Sequence, residues 1–180
     1  MEDQDNEPSW VAPTHAALVD GGVTIVGVVP DGGLQHLIRR LEPDSHFTVV
    51  RLTTEEEGVA LAAGAWLGGK RAAVLMQSSG VGNCTNMLSL LKTCEIPAVL
   101  LITMRGQAGE SNPWQTPMSE ATGPTLELMG VNVTSIGSPD DVAGAVSQGC
   151  GRAFERGEPA QAILIEQQVV GVKLFVGDAK

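Results

Sequence analysis

The chain has 180 residues, 43% of them hydrophobic, and a formal net charge of −10. This length suits one globular domain with a proper core, and we expect that domain to cover about residues 10–168, between short tails. The negative charge argues against nucleic acid as a partner. No apolar run reaches the roughly 20 residues that a membrane-spanning helix needs.

The start of the chain and its cysteines indicate a cytoplasmic protein. The first ten residues, MEDQDNEPSW, are acidic and polar, unlike a secretory signal peptide. The three cysteines, Cys84, Cys94 and Cys150, are odd in number and widely spaced, and no CxxC pair occurs. This pattern fits reduced thiols better than a disulfide framework or a zinc site.

Apolar runs alternate with helical segments along the chain. Six segments are predicted to be strands, at 23–29, 47–52, 71–77, 98–104, 131–136 and 162–166. The first of them is a continuous apolar run, as expected for a buried parallel strand. The predicted helices cover 10–20, 34–41, 55–67, 83–94, 120–129 and a segment that follows a cap at 138–140 and ends near 155. We expect a frayed tail at 1–8 and apolar patches at 169–170 and 174–176. The alternation predicts a three-layer α/β/α fold around a central parallel six-stranded sheet.

Three loops follow strands and are therefore expected to gather at the carboxyl edge of the sheet, where open α/β sheets bind ligands. They lie at 30–33, at the Gly-rich segment 78–83, and in a long polar segment, 105–118. From the residues alone, the Gly-rich loop is either a plain turn or a backbone cradle for an anion or flat ring. Asp31 is either a catalytic group or part of a Pro-Asp-Gly turn. Arg105 either clamps an anionic ligand or forms a surface salt bridge.

Three carboxylates, Glu55, Glu56 and Glu57, precede an Ala-rich helix. Thr54 and Glu57 fit a capping box, which is the simplest interpretation of this segment. The helix is almost uncharged, so we expect both of its faces to be buried. Glu55 is predicted to point inward, where a carboxyl needs a hydrogen-bond partner. It shares a helical stripe with four residues, Val59, Ala62, Ala63 and Trp66.

Four segments together resemble the pyrimidine-binding domain of thiamine diphosphate-dependent enzymes. They are GVVPDGG (27–33), TTEEEGVALAAGAWLGGK (53–70), VLMQSSGVGNCTN (74–86) and LLITMRGQAGE (100–110). The nearest likeness is to sulfopyruvate decarboxylase alpha subunits and phosphonopyruvate decarboxylases, and it extends over about 23–137. Four motifs in the same order are more specific than any one of them.

The resemblance implies roles for individual residues. Glu55, nine residues before Gly64 of the AAG motif, is implied to be the catalytic carboxylate that shares a proton with the cofactor's aminopyrimidine ring. Arg105 is the candidate for holding the anionic tail of the substrate. Relatives often carry Asp followed by Ser in the first loop, so this chain lacks a hydroxyl there. The implied cofactor contacts are Pro30, Asp31, Gly32, Gln77, Ser79, Gly80, Gly82 and Asn83.

The resemblance also implies a partner. The diphosphate half of such enzymes carries a GDG motif, and none occurs in this chain. We therefore expect a beta subunit to hold Mg²⁺ and the diphosphate, with thiamine diphosphate bridging the two chains of a hetero-oligomer. The expected activity is decarboxylation of a 2-oxo acid, sulfopyruvate or phosphonopyruvate. Two alternatives stay open: a carboligase subunit that uses the same cofactor, and a non-catalytic α/β scaffold module.

Overall fold

The structure of the chain is a computed structural model that describes residues 7–171. The predicted tail at 1–8 lies mostly outside these residues, and the apolar patch at 174–176 lies entirely outside them. One all-parallel sheet has the strand order β2-β1-β3-β4-β6-β5. The six strands are β1 (Val23–Val28), β2 (Thr48–Arg51), β3 (Arg71–Gln77), β4 (Val99–Thr103), β5 (Asn132–Ile136) and β6 (Gln161–Ile165).

Helices cover both faces of the sheet, as predicted. One core cluster lies under α1 (Val11–Asp20), α2 (Gln35–Leu41) and α6 (Val142–Cys150). The other lies under α3 (Glu55–Leu67), α4 (Val81–Thr93) and α5 (Thr116–Leu128). Successive side chains of a strand pack into opposite clusters: Leu75 belongs to the first cluster and Val74 to the second. The predicted three-layer α/β/α fold is confirmed. A short α7 (Gln167–Val170) follows β6.

Two predicted loops are partly helical. Ser78–Gly80 forms a 3₁₀ turn directly after β3, and α4 begins at Val81. The polar segment after β4 ends early, because Pro113–Gln115 is a 3₁₀ turn and α5 begins at Thr116. Prolines fit a first helical turn because the N–H that they lack would have no intrahelical partner there. Among residues 7–171, no helix is long and apolar enough to span a bilayer.

Helix α3 lies very close to the sheet on one side and is open on the other. A Cβ atom on Gly58 would collide with Cγ1 of Val74 in β3, so only glycine permits this approach. On the opposite side Leu67 is 81% exposed, and a Cβ atom on Gly64 would meet nothing within 4 Å. The expectation that both faces of this helix are buried is therefore wrong for the described part of the chain.

The two glycines of α3 give a matched test of this packing. We expect Gly58→Ala to lower the free energy of unfolding by about 1–3 kcal/mol, because the added methyl group overpacks the contact with β3. Gly64→Ala should be neutral or raise that free energy by up to about 1 kcal/mol, because alanine favours an exposed helix. Urea unfolding of both variants measures the difference. Equal effects would contradict the close approach at Gly58.

Candidate active site

The three carboxylates at the start of α3 have different surroundings. Oε2 of Glu57 accepts a hydrogen bond from the backbone N–H of Thr53 at 2.8 Å. The Thr54 side chain makes no cap hydrogen bond, so one half of the predicted capping box forms, shifted by one residue. Glu56 is exposed. Glu57 therefore binds the backbone just before the helix, whereas Glu55 takes no part in that contact.

Glu55 reaches from α3 to the first turn of α4. Its Oε2 accepts a hydrogen bond from Nδ2 of Asn83 at 2.8 Å, and the side chain is half-buried. A Cβ atom on Gly80 would collide with the Glu55 carboxyl group, so glycine at that position makes room for it. The positive end of the α4 dipole favours a negative charge there. The structure therefore brings three of the predicted site residues, Glu55, Gly80 and Asn83, into contact.

The predicted inward stripe of α3 is largely confirmed. Val59, Ala62 and Ala63 are buried behind Glu55. Trp66 is 38% exposed and stacks on Phe154, with 6.3 Å between ring centroids. Val59, Ala62 and Ala63, which follow Glu55 on this stripe, therefore form an apolar wall of about one helical turn.

Asp31 links the carboxyl ends of three adjacent strands, β1, β3 and β4. Its Oδ2 accepts hydrogen bonds from the Gly33 N–H at 2.9 Å and from the Thr103 hydroxyl at 2.7 Å. Its Oδ1 accepts one from Nε2 of Gln77 at 2.9 Å. The Gln77 Oε1 in turn accepts the Ser79 hydroxyl at 2.7 Å. Both oxygens of Asp31 are thus engaged, which fits a side chain that fixes the shape of this edge.

Arg105 is held by a carboxylate of its own loop. Its Nε and Nη2 donate to Glu110 Oε2 and Oε1 at 2.6 and 2.8 Å. The Glu110 side chain is 3% exposed and also accepts from the backbone N–H groups of Gly106 and Asn112 and from Nε2 of Gln167. The Arg105 guanidinium, followed by these backbone donors, holds the pKa of Glu110 well below its ordinary value. Arg105 therefore forms a partly buried ion pair, in which the Arg105 side chain is 18% exposed.

The Arg105 loop lies beside the Asp31 network. The backbone N–H of Arg105 donates to Oγ of Ser78 at 3.1 Å. Asp31, Gly32, Thr103 and Arg105 are among the residues that line a cavity of about 30 Å³. Small-molecule pockets usually enclose roughly 300 Å³ or more, so this cavity alone does not hold a cofactor.

The remaining predicted residues, Pro30 and Gly82, are exposed, Pro30 in the loop after β1 and Gly82 in the first turn of α4. Sequence reasoning missed three polar partners, Thr103, Glu110 and Gln167. Thr103 stands out as the polar residue that ends an apolar strand, and Glu110 as the acidic residue in the segment 105–118. Gln167, which is 1% exposed, gives no comparable sequence signal.

The three cysteines are free thiols, with Cys84 and Cys150 buried and Cys94 exposed. Burial raises the pKa of Cys84 to about 12, and the Glu55 and Glu56 carboxylates add to that effect. Cys84 therefore stays protonated near neutral pH and does not act as a nucleophile. Among the groups near the start of α4, Glu55 is left as the reactive candidate.

A comparison with protein-family models finds no match. The chain is 37% identical over 128 residues to the sulfopyruvate decarboxylase subunit alpha of Methanococcus maripaludis, covering 71% of this chain and 77% of that protein. It is 38% identical over 157 residues to the phosphonopyruvate decarboxylase of Streptomyces viridochromogenes, covering 86% of this chain and 40% of that longer protein. A solved Mycobacterium smegmatis protein, classed as a thiamin diphosphate-dependent enzyme, matches 97% of this chain and 33% of its own with a TM-score of 0.70. At 22% identity that likeness shows the fold alone.

The Arg105–Glu110 pair makes stability depend on pH. Because the pKa of Glu110 is lowered in the folded chain, its contribution is present above the ordinary carboxyl value of about 4.3 and is lost as the pH falls below it. Glu110→Gln should therefore lower the free energy of unfolding most at neutral pH, and the gap to the wild-type chain should shrink toward about pH 3. Urea titrations of both chains measure this gap. A gap that stays constant with pH would contradict the ion pair.

Proposed function

The chain belongs to the family of sulfopyruvate decarboxylase alpha subunits and phosphonopyruvate decarboxylases, and we propose that it is the alpha subunit of a thiamine diphosphate-dependent 2-oxo acid decarboxylase. The proposed substrate is sulfopyruvate or phosphonopyruvate, the acids for which its relatives are named. The observation that carries the proposal is the Glu55 carboxylate, which lies against Gly80 with a hydrogen bond from Asn83.

The residues near the start of α4 fit the aminopyrimidine half of the cofactor. Glycine at position 80 leaves the Glu55 carboxyl in van der Waals reach of the first turn of α4, with no side chain between them. A carboxyl group can exchange a proton with a ring nitrogen, which is the role that we propose for Glu55. Ser79, Gly82 and the loop at 30–32 are proposed to contact the cofactor from the same edge.

The chain's own residues would hold a proton, orient the site and exclude water from it. When bound, the cofactor supplies the electron sink that allows a 2-oxo acid to lose CO₂. Glu55 holds and releases the proton that this chemistry requires. The apolar wall of Val59, Ala62 and Ala63 keeps water from the rear of the carboxyl. Asp31, which is fully engaged, keeps the strand ends in register.

A second subunit is part of the proposal. The relatives named alpha subunits support it, because such a name implies a partner chain. The chain spans about 40% of the phosphonopyruvate decarboxylase, which leaves room in that longer protein for a diphosphate-binding half. We propose that a beta subunit supplies this half together with Mg²⁺, in a cytoplasmic hetero-oligomer. The free thiols agree with that compartment.

Glu55→Gln tests the catalytic assignment. In the complex with the candidate beta subunit, this variant should bind thiamine diphosphate with Mg²⁺ normally but turn over about 10²- to 10⁴-fold more slowly, because the carboxyl that exchanges the proton is gone. Glu56→Gln, an exposed neighbour, is the matched control and should behave as wild type. Calorimetry measures cofactor affinity, and release of CO₂ from sulfopyruvate and phosphonopyruvate measures turnover.

Near wild-type turnover by Glu55→Gln would remove Glu55 from the mechanism. Calorimetry also tests whether the cofactor site is divided between two subunits. A divided site predicts tight cofactor binding when the beta subunit is present and none by this chain without it. No binding in either case would favour the scaffold alternative. Product analysis in the same assay separates decarboxylation from carboligation.

Arg105 is proposed to hold the anionic tail of the substrate through Nη1, the guanidinium nitrogen that takes no part in the pair with Glu110. Arg105→Ala should then raise KM for sulfopyruvate more than KM for pyruvate, which lacks the tail. Glu110→Gln is the control, because it weakens the pair but keeps the cation. Steady-state kinetics of both variants decide between the two roles. If the two variants raise KM for sulfopyruvate equally, Arg105 acts by ordering its loop.

A further inference from the structure

Among residues 7–171, the side-chain amide of Asn83 is the sole hydrogen-bond donor to the Glu55 carboxylate. The bond runs from Nδ2 to Oε2 at 2.8 Å. Asn83 belongs to the first turn of α4, two residues after that helix begins at Val81. The backbone of a 13-residue helix is rigid, so a donor in its first turn has a fixed position and can orient the side chain that it contacts.

The two oxygens of Glu55 therefore differ. Oε2 faces a carboxamide N–H, which carries no charge and does not titrate. Oε1 lies against Gly80, where a Cβ atom would collide with it, and no residue in the described part of the chain donates to it. An N–H donor holds the ionised carboxylate without competing for the proton. The other oxygen stays free to exchange one.

We propose that Asn83 is a positioning residue: its amide holds Oε2 of Glu55, so that Oε1 is the atom that exchanges the proton with the aminopyrimidine. This inference rests on the proposed function of Glu55. It assigns Asn83 to the carboxylate rather than to direct cofactor binding, the role implied by the sequence resemblance. Asn83 is exposed, so changing it should leave the fold intact.

The contact itself is testable without cofactor. In NMR spectra of the full chain, the two side-chain amide protons of Asn83 should be more widely separated than those of Asn86, an exposed asparagine one turn along α4. Glu55→Ala should bring the Asn83 pair together and leave the Asn86 pair unchanged. An Asn83 pair that does not respond to Glu55→Ala would overturn the proposal.

The role is testable in the complex with the beta subunit. Asn83→Ala should lower turnover about 10- to 100-fold, as expected for loss of one hydrogen bond to a charged group, while cofactor affinity and KM change little. Asn83→Asp keeps the size of the side chain but removes the donor, so its turnover should fall at least as far as that of Asn83→Ala. Asn86→Ala is the control for the same substitution on the same helix.

A double-mutant cycle shows whether Asn83 acts through Glu55. In the Glu55→Gln background, Asn83→Ala should cause no further loss, because the proton-transfer step that it serves is already absent. Full additivity would overturn the proposal, and so would weaker cofactor binding with unchanged turnover at saturation. These outcomes leave the proposed function standing. A wild-type complex that binds no cofactor and releases no CO₂ would overturn both.

Discussion

The candidate site depends on how closely α3 approaches β3 and how closely Glu55 approaches α4, and a glycine sets each of these distances. Gly58 lets α3 touch Val74, and Gly80 lets the Glu55 carboxyl lie on the first turn of α4. A glycine inside a helix costs up to about 1 kcal/mol relative to alanine, so a helical glycine such as Gly58 is retained at an expense. A side chain at position 80 would displace the Glu55 carboxyl from α4, and one at position 58 would collide with Val74 of β3. The geometry of the candidate site therefore depends on two positions that have no side chain.

Three carboxylates at this edge differ in how many donors they meet. Asp31 accepts from three groups and Glu110 from five, so the chain's own donors occupy both oxygens of each carboxylate. Glu55 accepts from one among the described residues. A carboxylate with few partners keeps a free oxygen for a ligand, whereas a saturated one loses a hydrogen bond if it reacts. The contrast separates Glu55 from Asp31 and Glu110 without reference to any relative.

Sequence patterns predicted the parallel sheet because apolar strands such as β3 and β4 alternate with helical segments, and they predicted the position of Glu55 because it follows a strand. They failed where glycine and proline were taken as loop markers, since Gly82 and Pro117 stand in first turns of helices. The Asp31–Thr103 hydrogen bond joins residues 72 apart in the chain, which no local pattern specifies. The sequence also did not predict the partner of Arg105, because several polar residues of its loop could fold back onto the guanidinium and, of those that the structure describes, only Glu110 does so.

The Glu55 carboxylate is open on one side. Glu55 is half-buried, and its partner Asn83 is exposed, so the front of the carboxylate is not enclosed by the described residues. Proton exchange with a ring nitrogen is most effective in a site from which water is excluded, because electrostatic interactions weaken in a high dielectric. The apolar wall of α3 supplies the rear of such a site. A partner subunit would then contribute enclosure as well as the diphosphate half, so assembly and catalysis would be linked through the same carboxylate.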